Sequence, residues 1–201
     1  MTKGHSIIII PGLGNDTSRL EWATRHWRNH GLEPLVHSVD WYEGDFQPKL
    51  QKLVGLIDEL TGKGNIVSLV GASAGGSAAL NAFIEKKDVV HRVVNVCGRL
   101  KTGTHTGFRS FESRTASSPA FAQAVKLFES REETLTDRDR QKIMTVRAMF
   151  GDELVPGDTI VVRGSYNTQV PTPEHIFSIG AALTVFSKPV ILFLKSGPNR
   201  K

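Results

Sequence analysis

Residues 66–80 read IVSLVGASAGGSAAL and contain the pattern Gly-x-Ser-x-Gly at 71–75. The apolar, β-branched run before the pattern predicts a buried strand, and the small residues after it predict a helix. The pattern is typical of a serine on a sharp strand-to-helix turn, where a large neighbour would collide with either element. It predicts Ser73 as a nucleophile, with the backbone N–H of Ala74 facing a developing oxyanion. Taken alone, the stretch also fits a Gly- and Ser-rich loop that binds a phosphate or nothing.

Strand-like and helix-like segments alternate along the rest of the chain. We predict six strands, at residues 6–10, 34–39, 66–70, 89–97, 143–150 and 159–163. This alternation favours an α/β fold with a mostly parallel, doubly wound six-stranded sheet that helices cover on both faces. With the strand order 2-1-3-4-5-6, the loops after strands one and three lie at the switch point where open α/β sheets bind ligands.

The segment between the fourth and fifth predicted strands is longer than one crossover helix requires. We predict a small helical insertion after the fourth strand, within residues 99–142, with a helix that begins at Ser118 and Pro119. The insertion is expected either to cover a site as a lid or to pack on the body as a surface excursion. Residues 1–201 as a whole predict a single domain.

Composition and charge exclude several classes of partner. The chain carries a net charge of +5, but its Lys and Arg residues are interspersed with acids, so no nucleic-acid partner is predicted. The run of four Ile near the N-terminus is too short for a signal peptide or a bilayer span, which predicts a cytoplasmic protein without a membrane partner. Cys97, the single cysteine, is predicted to be a buried core thiol. The oligomeric state is left open.

An activated serine needs a base within hydrogen-bond reach, and the base needs a carboxylate that fixes its tautomer. The segment MFGDELVP places Asp152 at the carboxyl end of the fifth predicted strand, and PTPEHIFSIG places His175 in a loop just before a helix. Both residues follow Ser73, in the order serine, acid, histidine. We therefore predict a triad of Ser73, Asp152 and His175.

Other side chains compete for the roles of base and acid. The competitors are His37 and His105 for the base, and Glu153 and Asp158 for the acid. The two histidines fall inside a predicted strand and inside the predicted insertion, so His175 is preferred on chain order and loop placement. Asp158 directly precedes the sixth predicted strand, at the sheet edge away from Ser73, so Asp152 is preferred as the acid.

Four segments together resemble the α/β-hydrolase superfamily, in particular its short members that lack the first two strands of the full fold. They are IIIIPGLGND (7–16), GASAG (71–75), FGDELVP (150–156) and EHIFSI (174–179). In that family His-Gly often follows the first of these strands, and here Pro11 replaces the His. The resemblance implies Leu13 as the second oxyanion donor. It implies a serine hydrolase that cleaves a small carboxylic ester, thioester or amide through an acyl-enzyme intermediate, with no cofactor and no metal.

The chain departs from the family at the catalytic histidine, where Glu174 stands in place of the Gly that often precedes it.

The stretch RLKTGTHTGFRSFESR (99–114) is basic, because it contains four Lys or Arg residues and one acidic residue. One interpretation is that it steers an anionic small-molecule acyl substrate, with Arg109 and Arg114 as candidate contacts. The other is ordinary surface charge.

Two other function classes remain open from the sequence. Gly12-Leu13-Gly14 after a strand, with Asp40 at the end of the next one, fits a dinucleotide loop, although Thr17 stands where the third Gly belongs. Alternatively, the fold serves as a non-catalytic binding module for a small molecule or a protein, because fold does not determine function.

Overall fold

The computed structural model describes residues 4–197. Within them, parallel strands form one six-stranded sheet in the order β2-β1-β3-β4-β5-β6. The strands are β1 (His5–Ile10), β2 (Glu33–Val36), β3 (Ile66–Ala72), β4 (Val90–Val96), β5 (Ile143–Ala148) and β6 (Tyr166–Val170). This topology confirms the predicted α/β fold and its strand order.

Helices cover both faces of the sheet. They are α1 (Thr17–Thr24), α2 (Phe46–Gly62), α3 (Gly75–Glu85), α4 (Phe111–Thr115), α5 (Pro119–Arg131), α6 (Asp137–Arg140), α7 (His175–Leu183) and α8 (Lys188–Lys195). Short 3₁₀ segments lie at Arg25–His30, Gly107–Arg109, Glu132–Thr134 and Gly157–Thr159. In the described part of the chain no single helix is long and apolar enough to cross a membrane, and α7 and α8 reach that length only as a pair bent by 55°.

The run of isoleucines in β1 shows why the sheet is buried on both faces. Ile8 and Ile10 belong to the core beneath α2, α3 and α5, whereas Ile7 and Ile9 belong to the core beneath α1, α7 and α8. Successive side chains of a strand point to opposite faces, so a strand covered on both faces is apolar throughout. The sequence IIII is therefore the pattern of a central parallel strand.

The predicted position of the sixth strand was wrong. Residues 159–163 do not join the sheet, and Tyr166–Val170 pairs with β5 instead. Ile160 and Val162 are fully buried. The backbone carbonyls of Thr159 and Ile160 accept hydrogen bonds from Leu100 and Asn95, at the carboxyl end of β4. The β-branched run is thus a buried connection, and the more polar segment after it forms the exposed edge strand.

The segment 99–142 divides into two parts. Helix α5 packs on α2 and α3 as the ordinary crossover helix between β4 and β5, and its apolar face is buried in the core. Residues 101–118, which carry α4, are the additional excursion, and Arg109 and Ser118 tie it to the loops that follow β5 and β2. The action of this excursion as a lid stays a prediction, as does the single-domain organisation of the whole chain.

Candidate active site

Ser73 lies at the tip of the turn between β3 and α3, with a φ of 52°. Its backbone N–H donates to the Val96 carbonyl of β4 at 2.9 Å, and its carbonyl accepts from the Gly76 N–H at 2.9 Å. A positive φ is uncommon for a residue other than glycine and persists only where the surroundings hold it. The turn therefore holds the hydroxyl of Ser73 at the carboxyl edge of the sheet.

The glycines around Ser73 allow three backbone segments to meet. A Cβ atom at Gly71 would lie 2.2 Å from the Gly75 carbonyl oxygen, and one at Gly75 would lie 2.1 Å from the Ile10 carbonyl oxygen. A Cβ atom at Gly12 would lie 2.8 Å from the Cβ of Ser73. The glycines of the pattern are thus required by close packing of the β1 loop, β3 and α3.

His175 is the first residue of α7 and joins Ser73 to Asp152. Its Nε2 atom lies 2.8 Å from the Ser73 Oγ, and its Nδ1 atom lies 2.6 Å from the Asp152 Oδ2. The side chains of His175 and Asp152 are both buried. With the proton on Nδ1, the ring donates to the carboxylate and accepts from the serine hydroxyl, which is the arrangement that general-base chemistry requires. The structure therefore brings the three predicted triad residues into one hydrogen-bonded chain.

The Asp152 carboxylate is fixed by the turn that follows β5. Its Oδ1 atom accepts from the Leu154 N–H at 2.9 Å and from the Val155 N–H at 2.8 Å. Burial raises the pKa of Asp152, but hydrogen bonding and charge interaction with His175, together with the two backbone N–H groups, outweigh burial and lower the pKa below its ordinary value. Asp152 is accordingly ionised at neutral pH.

The rival residues lie elsewhere or serve other contacts. His105 and Asp158 form a pair with each other, at 2.9 Å between Nε2 and Oδ1 on the protein surface. His37 is half-buried just after β2. Burial is the larger cause of its lowered pKa, and the charge of Lys52 lowers the pKa further. The Glu153 Oε2 accepts from the backbone N–H of His175 at 3.0 Å, so it positions the start of α7. These contacts agree with the preference for Asp152 over Asp158. The reason given for that preference was wrong, because residues 159–163 do not form the strand that Asp158 was expected to precede.

Glu174 takes the place of the expected glycine at the cost of a strained backbone. Its φ is 71° and its ψ is 145°, close to a region that is nearly restricted to glycine. The carboxylate accepts hydrogen bonds from the N–H groups of Ile176 and Phe177 and caps α7. The side chain thus stabilises the helix that begins with His175, and this offsets part of the strain.

The predicted oxyanion donors lie on the two loops that meet at Ser73. Leu13 and Ser73 line one pocket, and Ala74 follows Ser73 at the start of α3. The N–H groups of Leu13 and Ala74 donate to no acceptor within residues 4–197. Unpaired N–H groups at this position are available to a negatively charged oxygen.

Trp41 supports the loop that carries Leu13, a contact that sequence reasoning missed. Its indole Nε1–H donates to the Pro11 carbonyl at 3.2 Å, and the ring is almost fully buried. The ring stacks on Phe46 and meets Phe121 edge to face. Trp41 therefore acts on the pocket indirectly, by holding the loop between β1 and α1 in place. A tryptophan after β2 was the only sequence signal for it.

The pocket beside the triad is small and basic. It encloses about 30 Å³. Its lining residues are Leu13, Ser73, Arg99, Arg114, Phe121, Leu154, Val155 and His175. Of the two predicted substrate contacts, Arg114 lies at this pocket, whereas Arg109 donates its Nη2–H to the backbone carbonyl of Asp152 at 2.9 Å. Arg99 was not among the predicted contacts. Its position three residues beyond β4, at the edge that holds Ser73, was the signal for it. A wider depression of about 290 Å³ lies at β2, away from the triad.

The dinucleotide interpretation of the loop after β1 is disfavoured by its geometry. Gly12 packs against Ser73, and the Asp16 carboxylate accepts from the Arg19 N–H at the start of α1. A dinucleotide site would place its pyrophosphate at that helix terminus, where the carboxylate would repel it. Asp40 is exposed and accepts from the Tyr42 N–H at 3.4 Å.

Cys97 lies next to the site but does not compete as a nucleophile. It is fully buried, and burial raises its pKa far above the ordinary value, with the charges of Asp152 and Glu153 adding to the effect. The thiolate is thus not formed at neutral pH. Within residues 4–197, no three His, Cys, Asp or Glu side chains are grouped closely enough to hold a metal ion.

Known structures share this architecture. The fold is similar to that of one of two metagenome-derived lipolytic enzymes, LipS and LipT, with a TM-score of 0.65 and 9% identity over 94% of this chain and 91% of that one. A monoacylglycerol lipase of Paleococcus ferrophilus gives a TM-score of 0.63 and 13% identity over 96% of each chain. A protein of Xanthomonas campestris pv. campestris, assigned to the alpha/beta hydrolase superfamily, gives 0.61 and 18% over 96% and 99%.

No protein-family model and no curated protein matches the sequence. Identities this low establish a fold and leave the reaction to the site. The chain therefore has the α/β-hydrolase fold, as its four motifs predicted.

Proposed function

We propose that this protein of α/β-hydrolase fold is a serine hydrolase that cleaves a small carboxylic ester, thioester or amide through an acyl-enzyme intermediate. The observation that carries the proposal is the continuous chain from the Ser73 Oγ through both ring nitrogens of His175 to the Asp152 carboxylate, with contacts of 2.8 and 2.6 Å. A serine hydroxyl is a weak nucleophile until such a base accepts its proton.

The mechanism follows from these contacts. The Nε2 atom of His175 accepts the Ser73 proton as Oγ attacks the substrate carbonyl carbon, and Asp152 stabilises the imidazolium that forms. The N–H groups of Leu13 and Ala74 donate to the tetrahedral oxyanion. His175 then gives its proton to the leaving group. A water molecule, deprotonated by His175, then attacks the acyl carbon. The bond between that carbon and Oγ breaks as His175 returns the proton to Oγ, which releases a carboxylic acid and restores Ser73.

The oxyanion donors add support to the proposal that the triad carries. Removing one such donor typically lowers the turnover number by about 10²- to 10³-fold. The contact of Trp41 with the Pro11 carbonyl and the fit of Gly12 against Ser73 hold the first donor loop in place. These contacts keep the Leu13 N–H beside Ser73, where an oxyanion would form, and this supports the enzyme over the binding module.

Covalent labelling with a fluorophosphonate tests the proposal, because only an activated serine reacts rapidly with it. We expect intact-mass analysis to show one adduct on the wild-type protein, none on Ser73→Ala, and a much slower reaction on His175→Ala. The matched control is His105→Ala, which removes an exposed histidine paired with Asp158 and should label like the wild type. Hydrolysis of 4-nitrophenyl acetate by the same four proteins should follow the same order.

Two outcomes would contradict the proposal. The first is a folded wild-type protein that forms no adduct, which would favour the binding module. The second is an adduct that persists in Ser73→Ala, which would place the reactive group elsewhere. Circular dichroism of each variant verifies that the differences arise from chemistry and not from unfolding.

A further inference from the structure

Arg99 is a buried cation without a carboxylate partner. Its side chain begins three residues beyond the end of β4, and the residue is 1% exposed. The Nη1 and Nη2 atoms donate to the backbone carbonyls of Thr102 at 3.0 Å and Arg109 at 2.6 Å. The buried Nε–H has no acceptor within residues 4–197. A guanidinium presents five donors and stays charged, so its burial without a counter-ion is unfavourable until an anion joins it.

Further positive charge surrounds the same pocket. Arg114 lines it together with Arg99 and the triad residues, and its guanidinium lies 4.9 Å from the centroid of the Phe108 ring. Within residues 4–197, neither Arg99 nor Arg114 approaches a carboxylate within ion-pair distance. Burial lowers the pKa of Arg99 most, Asp158 and Glu112 oppose this, and the nearby charges of Arg114 and Arg109 lower it further.

The packing around Arg99 holds it beside the nucleophile. A Cβ atom at Gly98 would lie 2.3 Å from the Ser73 carbonyl oxygen, so the residue before Arg99 touches the elbow itself. The Asn95 side chain accepts from the Gly98 N–H and donates to the Gly98 carbonyl. Arg99 is therefore held rigidly at the end of β4, and an anion bound to it would lie next to the reacting carbonyl.

We infer that Arg99 and Arg114 form a carboxylate-binding subsite, and that the substrate carries a carboxylate a few bonds from its scissile carbonyl. The inference rests on the proposed function, because it names the substrate class of the same site. Arginine forks bind carboxylates through paired, charge-assisted hydrogen bonds. The pocket that Arg99 and Arg114 line also contains Ser73 and His175, so a carboxylate bound to the arginines would lie close to the reacting carbonyl.

A pair of esters that differ only in charge tests the subsite. The anionic ester is mono(4-nitrophenyl) glutarate, and the neutral one is its methyl diester, methyl 4-nitrophenyl glutarate. A third ester, 4-carboxyphenyl butyrate, carries the anion on the leaving group and shows which half of the substrate occupies the subsite. The neutral counterpart of the third ester is 4-(methoxycarbonyl)phenyl butyrate. We expect one of the two anionic esters to exceed its neutral counterpart in kcat/KM by about 10- to 100-fold, which is the effect expected from a hydrogen bond to a charged group.

The ratio of kcat/KM for the anionic and neutral esters is then measured in variants. Arg114→Gln should lower this ratio at least tenfold, and Arg99→Lys, which keeps the charge but not the fork, should lower it less than Arg99→Gln. The ratio is independent of the folded fraction, so a variant that folds poorly still gives a valid answer. Arg138→Gln is the control, since Arg138 is exposed on α6 at the opposite edge of the sheet, and it should leave the ratio unchanged.

The outcomes separate the two proposals. If the wild type hydrolyses the neutral esters and the ratios are near one, the subsite is refuted and the serine hydrolase stands. If the wild type hydrolyses no ester and is not labelled by a fluorophosphonate, the proposed function fails. Calorimetric titration with glutarate then decides the subsite by itself: binding that Arg114→Gln abolishes supports it, and no binding to the wild type overturns it.

Discussion

Replacing Asp152 by Asn tests the triad at a single atom. The Oδ1 of Asp152 accepts from two backbone N–H groups, those of Leu154 and Val155. In Asp152→Asn the amide oxygen must keep that position, because an NH₂ group there would face two other donors. The new NH₂ group therefore faces the Nδ1 of His175 and forces it to become an acceptor. The ring proton moves to Nε2, which can then no longer accept the proton of Ser73.

The expected loss follows from this change of tautomer. We expect the turnover number to fall by about 10⁴-fold, as in other triads that lose the orienting carboxylate. At about 1.36 kcal/mol for each tenfold change, that is about 5.4 kcal/mol of activation free energy. The two backbone hydrogen bonds persist and the side chains are nearly isosteric, so we expect the free energy of unfolding at neutral pH to change by less than about 2 kcal/mol.

The assay is steady-state hydrolysis of 4-nitrophenyl acetate, with the rate of fluorophosphonate labelling as a second measurement. Asp158→Asn is the matched control, because Asp158 is exposed and paired with His105, and it should retain wild-type activity. The reasoning is refuted if Asp152→Asn remains within tenfold of the wild type, or if Asp158→Asn loses the activity instead.

Three further predictions concern stability. Glu174 has a φ of 71° and a ψ of 145°, so Glu174→Gly should be more stable than Glu174→Ala by about 1 kcal/mol in urea unfolding, the reverse of the usual order. Burial and the charge of His91 lower the pKa of His5 from 6.5 to about 4. Between these values the unfolded chain binds a proton that the native protein does not, so the free energy of unfolding falls as the pH decreases from 6.5 to 4. His5→Gln should make that fall smaller by about 1 kcal/mol, allowing for the partly exposed ring. Gly75→Ala places a Cβ atom 2.1 Å from the Ile10 carbonyl oxygen and should lower the free energy of unfolding by about 3 kcal/mol, as measured by thermal denaturation.

Each of these has an outcome that contradicts it. A Glu174→Ala variant that is the more stable of the two would show that the backbone at this position is not strained. Equal pH dependence of the wild type and His5→Gln would show that His5 titrates alike in both states. For the glycine, the control is Gly14→Ala, where a Cβ atom meets nothing within 4 Å, and an equal loss there would point to unfolded-state entropy as the cause.

Local sequence was sufficient to predict those elements that are specified by their own hydrophobic period and by the residues next to them in the chain. The strand 66–72 and the Gly-x-Ser-x-Gly turn are specified by a buried apolar run followed by residues small enough for close packing, and both predicted elements are present. The doubly wound sheet follows from the alternation of strands and helices. Ser73, Asp152 and His175 were selected on residue type, chain order and loop placement, and the structure brings them into contact. Their catalytic role stays a prediction.

The sequence by itself thus determined the fold class and the loops that carry Ser73, Asp152 and His175, because these depend on hydrophobic period and turn chemistry within short segments. The tertiary structure alone decided the rest. The β-branched run 159–163 reads as a strand, yet its carbonyls bond to Leu100 and Asn95, and the polar segment Tyr166–Val170 forms the edge instead. In the sequence Arg99 is one of four basic residues in the stretch 99–114, and only the structure shows that it is buried beside Ser73. Both outcomes depend on contacts between residues distant in the chain, and local propensity contains no information about such contacts.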